Sequence, residues 1–206
     1  MELHLSTILS FFFIISTTVL QPSTTAGHPF PPTSDETNYI RTSCESTRYP
    51  ATCFNTLSRY SGSIKHDPIR LSMSAIHVAL TTVTHAAIYL SKMSRHVDSG
   101  NTANTTESAA VRDCSSVFGD AVDEIQKSHK EMKRLGWTQE SVRFQLSNVQ
   151  TWMSAALTNE DTCMDGFDDV EDGDVKAAVC GWVVAVKEVT SNALALVNSY
   201  ADTIRV

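Results

Sequence analysis

The sequence predicts an all-α protein, an up-and-down four-helix bundle with an N-terminal helical hairpin and two disulfides. Three observations carry this. Four long segments each repeat apolar residues in alternating steps of three and four, the signature of one helix face. The segments match in length, at roughly 20 to 25 residues or about 30 to 37 Å, as neighbours in a bundle must. Four of the five cysteines fall where a helical hairpin and a pair of antiparallel helices would bring them together. Composition agrees. With 206 residues, 42% hydrophobic, 19% charged, 8 Gly and 6 Pro, the chain is neither collagen-like nor low-complexity, and one domain is the economical arrangement.

Residues 1-26 read as a secretory signal. The apolar run from Ile8 to Leu20 is too short for a helix to span about 30 Å of hydrocarbon, and Thr24, Thr25 and Ala26 supply small residues for cleavage before Gly27. Residues 27-206 then form the working domain, and no later stretch is expected to cross a membrane. Within it, residues 36-62 make the helical hairpin and residues 67-206 the bundle. In helix one, Asp67 caps and Pro68 opens a seam of Ile69, Met73, Ile76, Leu80, Val83, Ala87 and Leu90. Helix two carries Val111, Cys114, Phe118, Ala121, Ile125, Ser128, Met132 and Leu135, and stops at Gly136. Thr138 caps helix three, with Val142, Leu146, Val149, Met153 and Ala156. Gly173 and Asp174 open helix four, the most apolar, with Val175, Val179, Trp182, Val186, Val189, Ala193, Leu196 and Tyr200.

Secretion favours disulfides, though the count of cysteines alone leaves their connectivity open. The short turn around Gly136 makes helices two and three antiparallel neighbours, which brings Cys114 near the start of one to Cys163 just past the end of the other. Cys44 and Cys53, flanking Tyr49-Pro50, would clamp the hairpin by the same logic. Cys180 is left as a free thiol, read as buried packing on an apolar helix.

The search for chemistry is mostly negative. GxGxxG, P-loop, GxSxG and HExxH patterns are all missing, which disfavours an enzyme. His77 and His85 could share a face of helix one, but no carboxylate or cysteine completes a metal set, so no metal and no cofactor are expected. The acidic run from Asp165 to Asp174 fails the calcium-loop spacing: counted from Asp168, the third position is Val170 and the twelfth Val179, so a solvated capping loop is expected. Trp137, Trp152 and Trp182 sit at helical spacing and read as core or interface contacts. Asn104-Thr105-Thr106 is a glycosylation sequon in the linker between helices one and two. A balance of 16 Lys+Arg against 23 Asp+Glu, net −7, argues against nucleic acid as a partner.

Three segments together carry a resemblance. They are Thr42-Ser-Cys-Glu-Ser-Thr-Arg-Tyr-Pro-Ala-Thr-Cys53, Val111-Arg-Asp-Cys-Ser-Ser-Val-Phe-Gly-Asp-Ala-Val-Asp123, and Thr151-Trp-Met-Ser-Ala-Ala-Leu-Thr-Asn-Glu-Asp-Thr-Cys-Met-Asp-Gly-Phe167. With the Ser-Asn-Ala-Leu-Ala-Leu run at 191-196, they resemble the plant invertase and pectin methylesterase inhibitor family. The resemblance implies an extracellular bundle of the apoplast and cell wall, the disulfides Cys44–Cys53 and Cys114–Cys163, and a non-enzymatic inhibitor that is a monomer when free and binds its target one to one.

Invertase inhibitors of this family often carry a Pro-Lys-Phe segment near the start of the last helix. This chain has Val175-Lys-Ala-Ala-Val-Cys there, so pectin methylesterase is the expected target and acid invertase the alternative. In the pectin methylesterase branch the bundle covers the active-site cleft with polar and acidic side chains of helices two and three. Carried over by position, these are Asp120, Asp123, Gln150, Thr162 and Asp165, with Ser116 standing where relatives can present an acid. Asp120 and Asp123 lie off the seam, so helical rotation alone turns them outward. A hydrolase or lipid-binding protein using the bundle core is the rival class, and the regularly filled seams argue against its cavity.

Overall fold

The computed structural model describes residues 34–99 and 105–205; the segment 1-26 expected to be a signal and the expected glycosylation site Asn104 lie outside them. Helix α1 is Ser34–Glu45 and α2 is Pro50–Leu57, followed by a 3-10 turn Ser58–Tyr60 and the short α3, Ser61–Ile64. The bundle helices are α4 Pro68–Ser99, α5 Thr106–Met132, α6 Gln139–Asp165 and α7 Asp174–Arg205.

Local chemistry sets the ends of these helices. Asp67 Oδ1 accepts from the backbone N–H groups of Ile69 (2.8 Å) and Arg70 (3.2 Å), satisfying two of the orphan donors at the start of α4. Thr105 and Thr138 cap α5 and α6 in the same way, accepting from Ser108 and Ser141. Between α3 and α4 the chain turns through Lys65 and His66, both left-handed with φ of 50° and 60°, where glycine would be easier.

The four long helices close a ring in which α5 packs on α4 and α6, and α7 packs on α6 and α4. Contacts along each seam run in opposite chain directions. Ser72 and Tyr89 of α4 meet Leu196 and Trp182 of α7, while Gln150 and Glu160 of α6 meet Asn198 and Thr190. Cys114 and Glu124 of α5 meet Cys163 and Asn159 of α6 in the same opposed order, so each helix is antiparallel to both of its ring neighbours. The core between them holds Ile76, Val83 and Leu90 of α4, Phe118 and Ile125 of α5, Leu146 and Met153 of α6, and Val179, Val186 and Leu196 of α7. Burial of such side chains, at about 1.5–3 kcal/mol each, is the main term holding the bundle together.

The hairpin docks on the ring through a polar clasp. Buried Asn192 of α7 accepts from the Tyr49 N–H (3.1 Å) and donates to the Tyr49 carbonyl (2.9 Å), as a neighbouring strand would. Thr52 adds a bond to Glu188 (2.6 Å). Cys44–Cys53 closes the hairpin and Cys114–Cys163 ties α5 to α6, with Cα–Cα distances of 5.7 and 4.5 Å. Loop-closure entropy gives about 3 and about 4 kcal/mol for the two bridges.

Several expectations are corrected. The buried line of α4 runs Ser72, Ile76, Ala79, Val83, Ala86 and Leu90, so the line through Ile69, Met73, Leu80 and Ala87 is the half-buried flank of a wide apolar face. Helix α4 also continues past Leu90 to Ser99, because Val97 keeps the period and is buried. Helix α5 ends at Met132, leaving Leu135 and Gly136 in the turn. Cys163 lies inside α6, not past its end. By length and hydropathy, α4 over Pro68–Val97 and α7 over Asp174–Ile204 could each cross a membrane, contrary to expectation; in the bundle their apolar faces cover one another.

Candidate functional site

Helix α5 turns its seam, from Val111 through Phe118 to Met132, into the ring. That rotation leaves Ser116, Asp120 and Asp123 exposed, at i, i+4 and i+7 on one outward stripe. On α6 the seam runs Leu146, Val149, Met153, Ala156, Glu160 and Cys163, leaving Thr162 and Asp165 exposed at the helix end. The Cys114–Cys163 bridge brings Ser116, two residues from one cysteine, level with Thr162, one residue from the other. Five of the six expected contact residues thus lie exposed between the disulfide end and the middle of the α5–α6 pair. Thr162 spends its hydroxyl on the Thr158 carbonyl (2.8 Å), which leaves the carboxylates as this face's strongest acceptors.

Gln150 does not join them. Its side-chain amide donates to Asn198 Oδ1 of α7 (2.8 Å), so it faces the opposite flank of α6.

Two carboxyls stand behind this face that sequence reasoning missed. Glu124 is half-buried between α5 and α6, where Asn159 Nδ2 donates to it (3.0 Å). Burial pushes its carboxyl up, assisted by Asp120 and Asp123, against the lowering effects of Asn159 and Lys127. Glu160 has no exposed surface, and burial raises its carboxyl to about 8. Thr190 donates to its Oε1 (2.8 Å), while Oε2 has no partner among the described residues. Lys187 of α7 pairs with Asp161 beside it.

Cys180 is half-buried, more accessible than packing on an apolar helix implied. The acidic segment after α6 is anchored, not merely solvated: Phe167 and Val170 are buried, and Lys176 donates to the Val170 carbonyl (2.8 Å) while pairing with Asp172. Among the described residues, no three His, Cys, Asp or Glu side chains converge as metal ligands. Trp152 and Trp182 are half-buried, but Trp137 stands in the α5–α6 turn fully exposed, outside any core.

Comparison with known proteins places the chain. Residues 38–196 match the family described as plant invertase/pectin methylesterase inhibitor. The chain is 38% identical over 193 residues to pectinesterase inhibitor 9 of Arabidopsis thaliana, covering 92% of this chain and 91% of that protein. It is 41% identical over 165 residues to a 21 kDa protein of Daucus carota, covering 79% and 83%. A crystal structure of a mutant form of a pectin methylesterase inhibitor from Arabidopsis superposes with a TM-score of 0.61 over 77% of this chain and 95% of that one; at 18% identity it speaks for the fold alone. The chain belongs to the plant invertase/pectin methylesterase inhibitor family.

Proposed function

We propose that this protein is a non-catalytic inhibitor of pectin methylesterase that covers the enzyme's active-site cleft with its α5–α6 face, from the disulfide end to mid-helix. The single observation that carries this is near full-length similarity to a relative named a pectinesterase inhibitor. Ser116, Asp120, Asp123, Thr162 and Asp165 are the contact residues of this reading, and Gln150 acts instead by holding α6 to α7. A standard interface buries about 1,600 Å² in total, and a few residues dominate it. The rigid ring offers such a surface without refolding, since four helices and a disulfide fix the rotation of the stripe. The inhibitor works as a monomer in a one-to-one complex, secreted to the apoplast, where it limits demethylesterification of cell-wall pectin.

Titrating the purified protein against a pectin methylesterase and an acid invertase side by side tests the assignment. Stoichiometric loss of esterase activity with invertase unaffected is expected. Inhibition of invertase alone would reverse the choice of target.

A further inference from the structure

We infer a second binding site at the opposite end of the α5–α6 pair, a cationic aromatic tip that holds a carboxylated polysaccharide. Trp137 is 103% exposed, so nothing covers its indole. It precedes the Thr138 cap, the position from which a hydrophobic staple would fold onto Val142, and that staple is not made. Nor is the turn slack. The Gly136 N–H donates to Gln145 Oε1 (2.6 Å) and Gln145 Nε2 donates to the Arg134 carbonyl (2.8 Å), clamping the chain to α6 just before the tryptophan. A side chain at 136 would collide with Ser141 and press on that clamp, which gives the glycine its steric reason. A large apolar ring held outward by a fixed turn is a presented surface.

Its surroundings are basic. Lys130, Lys133 and Arg134 line a shallow concavity of about 280 Å³. From Lys127 to Arg143 there are five cations and two carboxylates, whereas residues 158–174 hold seven carboxylates besides the buried Glu160 and no cation. Arg134 pairs with Glu131 (3.4 Å), whereas Lys133 makes no ion pair among the described residues, and Phe144, 68% exposed, is a separate apolar spot further along α6.

An indole face attracts the C–H groups of a sugar ring through the same quadrupole that attracts cations, while lysine and arginine take carboxylates. Nucleic acid fits poorly, because a net −7 chain with so small a basic patch offers few phosphate contacts. An anionic membrane fits poorly too, since exposed Gln139, Glu140 and Arg143 interrupt the path from Trp137 to Phe144. A polyuronate supplies both sugar faces and regularly spaced carboxylates. This choice of polymer rests on the reading that the target acts on pectin, whose demethylesterification creates carboxylates. The tip would then keep the inhibitor on pectin that has already been processed. Single exposed ion pairs are weak and screened by salt, but a polymer presents many, so avidity supplies the retention.

Native gel electrophoresis of the purified protein through gels containing polygalacturonate, fully methylesterified pectin or dextran tests the site. Retardation in polygalacturonate alone, relieved by salt, is expected. Trp137→Ala and the pair Lys133→Gln with Arg134→Gln should each weaken it by about tenfold, with unchanged thermal midpoints. Lys133→Gln alone serves as the milder variant should the pair fail to fold. Free migration of the wild type in polygalacturonate, retardation untouched by these changes, or binding to phosphatidylglycerol vesicles instead would each overturn the proposal. Esterase inhibition is titrated on the same samples. Retention without inhibition overturns the reading of the target and leaves the tip standing, while inhibition without retention overturns the tip.

Discussion

Glu160 shows how one residue ties the fold to pH. Its carboxyl titrates near 8 in the folded chain against an ordinary value of 4.5, with burial as the main cause. Thr190 and Lys187 face it from α7, Glu124 from α5, and Asp161 is its neighbour on α6. Because the raised value means the folded state keeps a proton the unfolded chain has released, its contribution is fully present below about pH 4.5. It is lost as pH rises towards 8, at up to about 1.4 kcal/mol per pH unit. Glu124, also raised, works in the same direction. His129, lowered by burial and by Lys133 and His77, works oppositely as pH falls below its ordinary 6.5. Thermal melts across pH 5 to 8 should show a falling midpoint, and Glu160→Gln, which keeps the Thr190 bond without titrating, should flatten much of that slope. An identical slope in both proteins would exclude Glu160 as its source. The sequence hid this residue because a carboxylate on an apolar seam reads as the seam's end, and helix three was therefore expected to stop before Cys163. It hid the direction of Gln150 for another reason: a polar residue's outward position does not say which neighbouring helix it will bond.

At the scale of elements, the hairpin depends on α7. Its helices are too short to be stable alone, and one buried asparagine pairs with both the N–H and the carbonyl of the linking residue Tyr49, whose carbonyl also accepts from the Cys53 N–H. Asn192→Ala leaves the half-buried Tyr49 N–H unpaired and its carbonyl with the Cys53 bond alone, at a cost of about 1–3 kcal/mol. Hydrogen exchange should quicken across residues 34–64 while α5 and α6 stay protected; uniform loosening of the whole bundle would contradict a local clasp. The asparagine was legible as part of the Ser-Asn-Ala-Leu run at 191-196, though its work was not, since its partner lies 143 residues away. The caps at Asp67 and Thr138 and the seams of α5 and α7 depend on short-range chemistry and periodicity, so they could be read almost to the residue, whereas helix ends could not: α4 runs on past Leu90 to Ser99. Thr105 itself was passed over because the sequon drew attention to Asn104. The seam of α4 came out rotated because Ala79 and Ala86 compete with Leu80 and Ala87 along a face apolar over nearly half its circumference, and periodicity cannot choose its centre.

The whole molecule is charged along its axis. The α5–α6 turn is basic, and the disulfide end with the segment to Asp174 is acidic, so an approaching basic surface is drawn to one end of the bundle. Exposed pairs contribute only about 0–1 kcal/mol each and are screened over about 8 Å at physiological salt. Asp120→Ala with Asp123→Ala should therefore weaken inhibition and flatten its salt dependence, with an unchanged thermal midpoint because the seam is untouched. Wild-type inhibition by this double variant at low salt would make α5 a scaffold only. The ring itself sets an order of assembly. Three of its four seams join helices consecutive in the chain, so α5 and α6 can zip outward from their turn. The fourth must bring Ser72 to Leu196 across 124 residues, and that closure entropy has to be met before its contacts form. Helix-weakening changes at equivalent depth should then separate in a chevron plot: Ala121→Gly in α5 slows refolding, whereas Ala79→Gly in α4 mainly hastens unfolding. The bundle's persistence is thus governed by its last seam to form and first to open, α4 against α7, which neither disulfide spans.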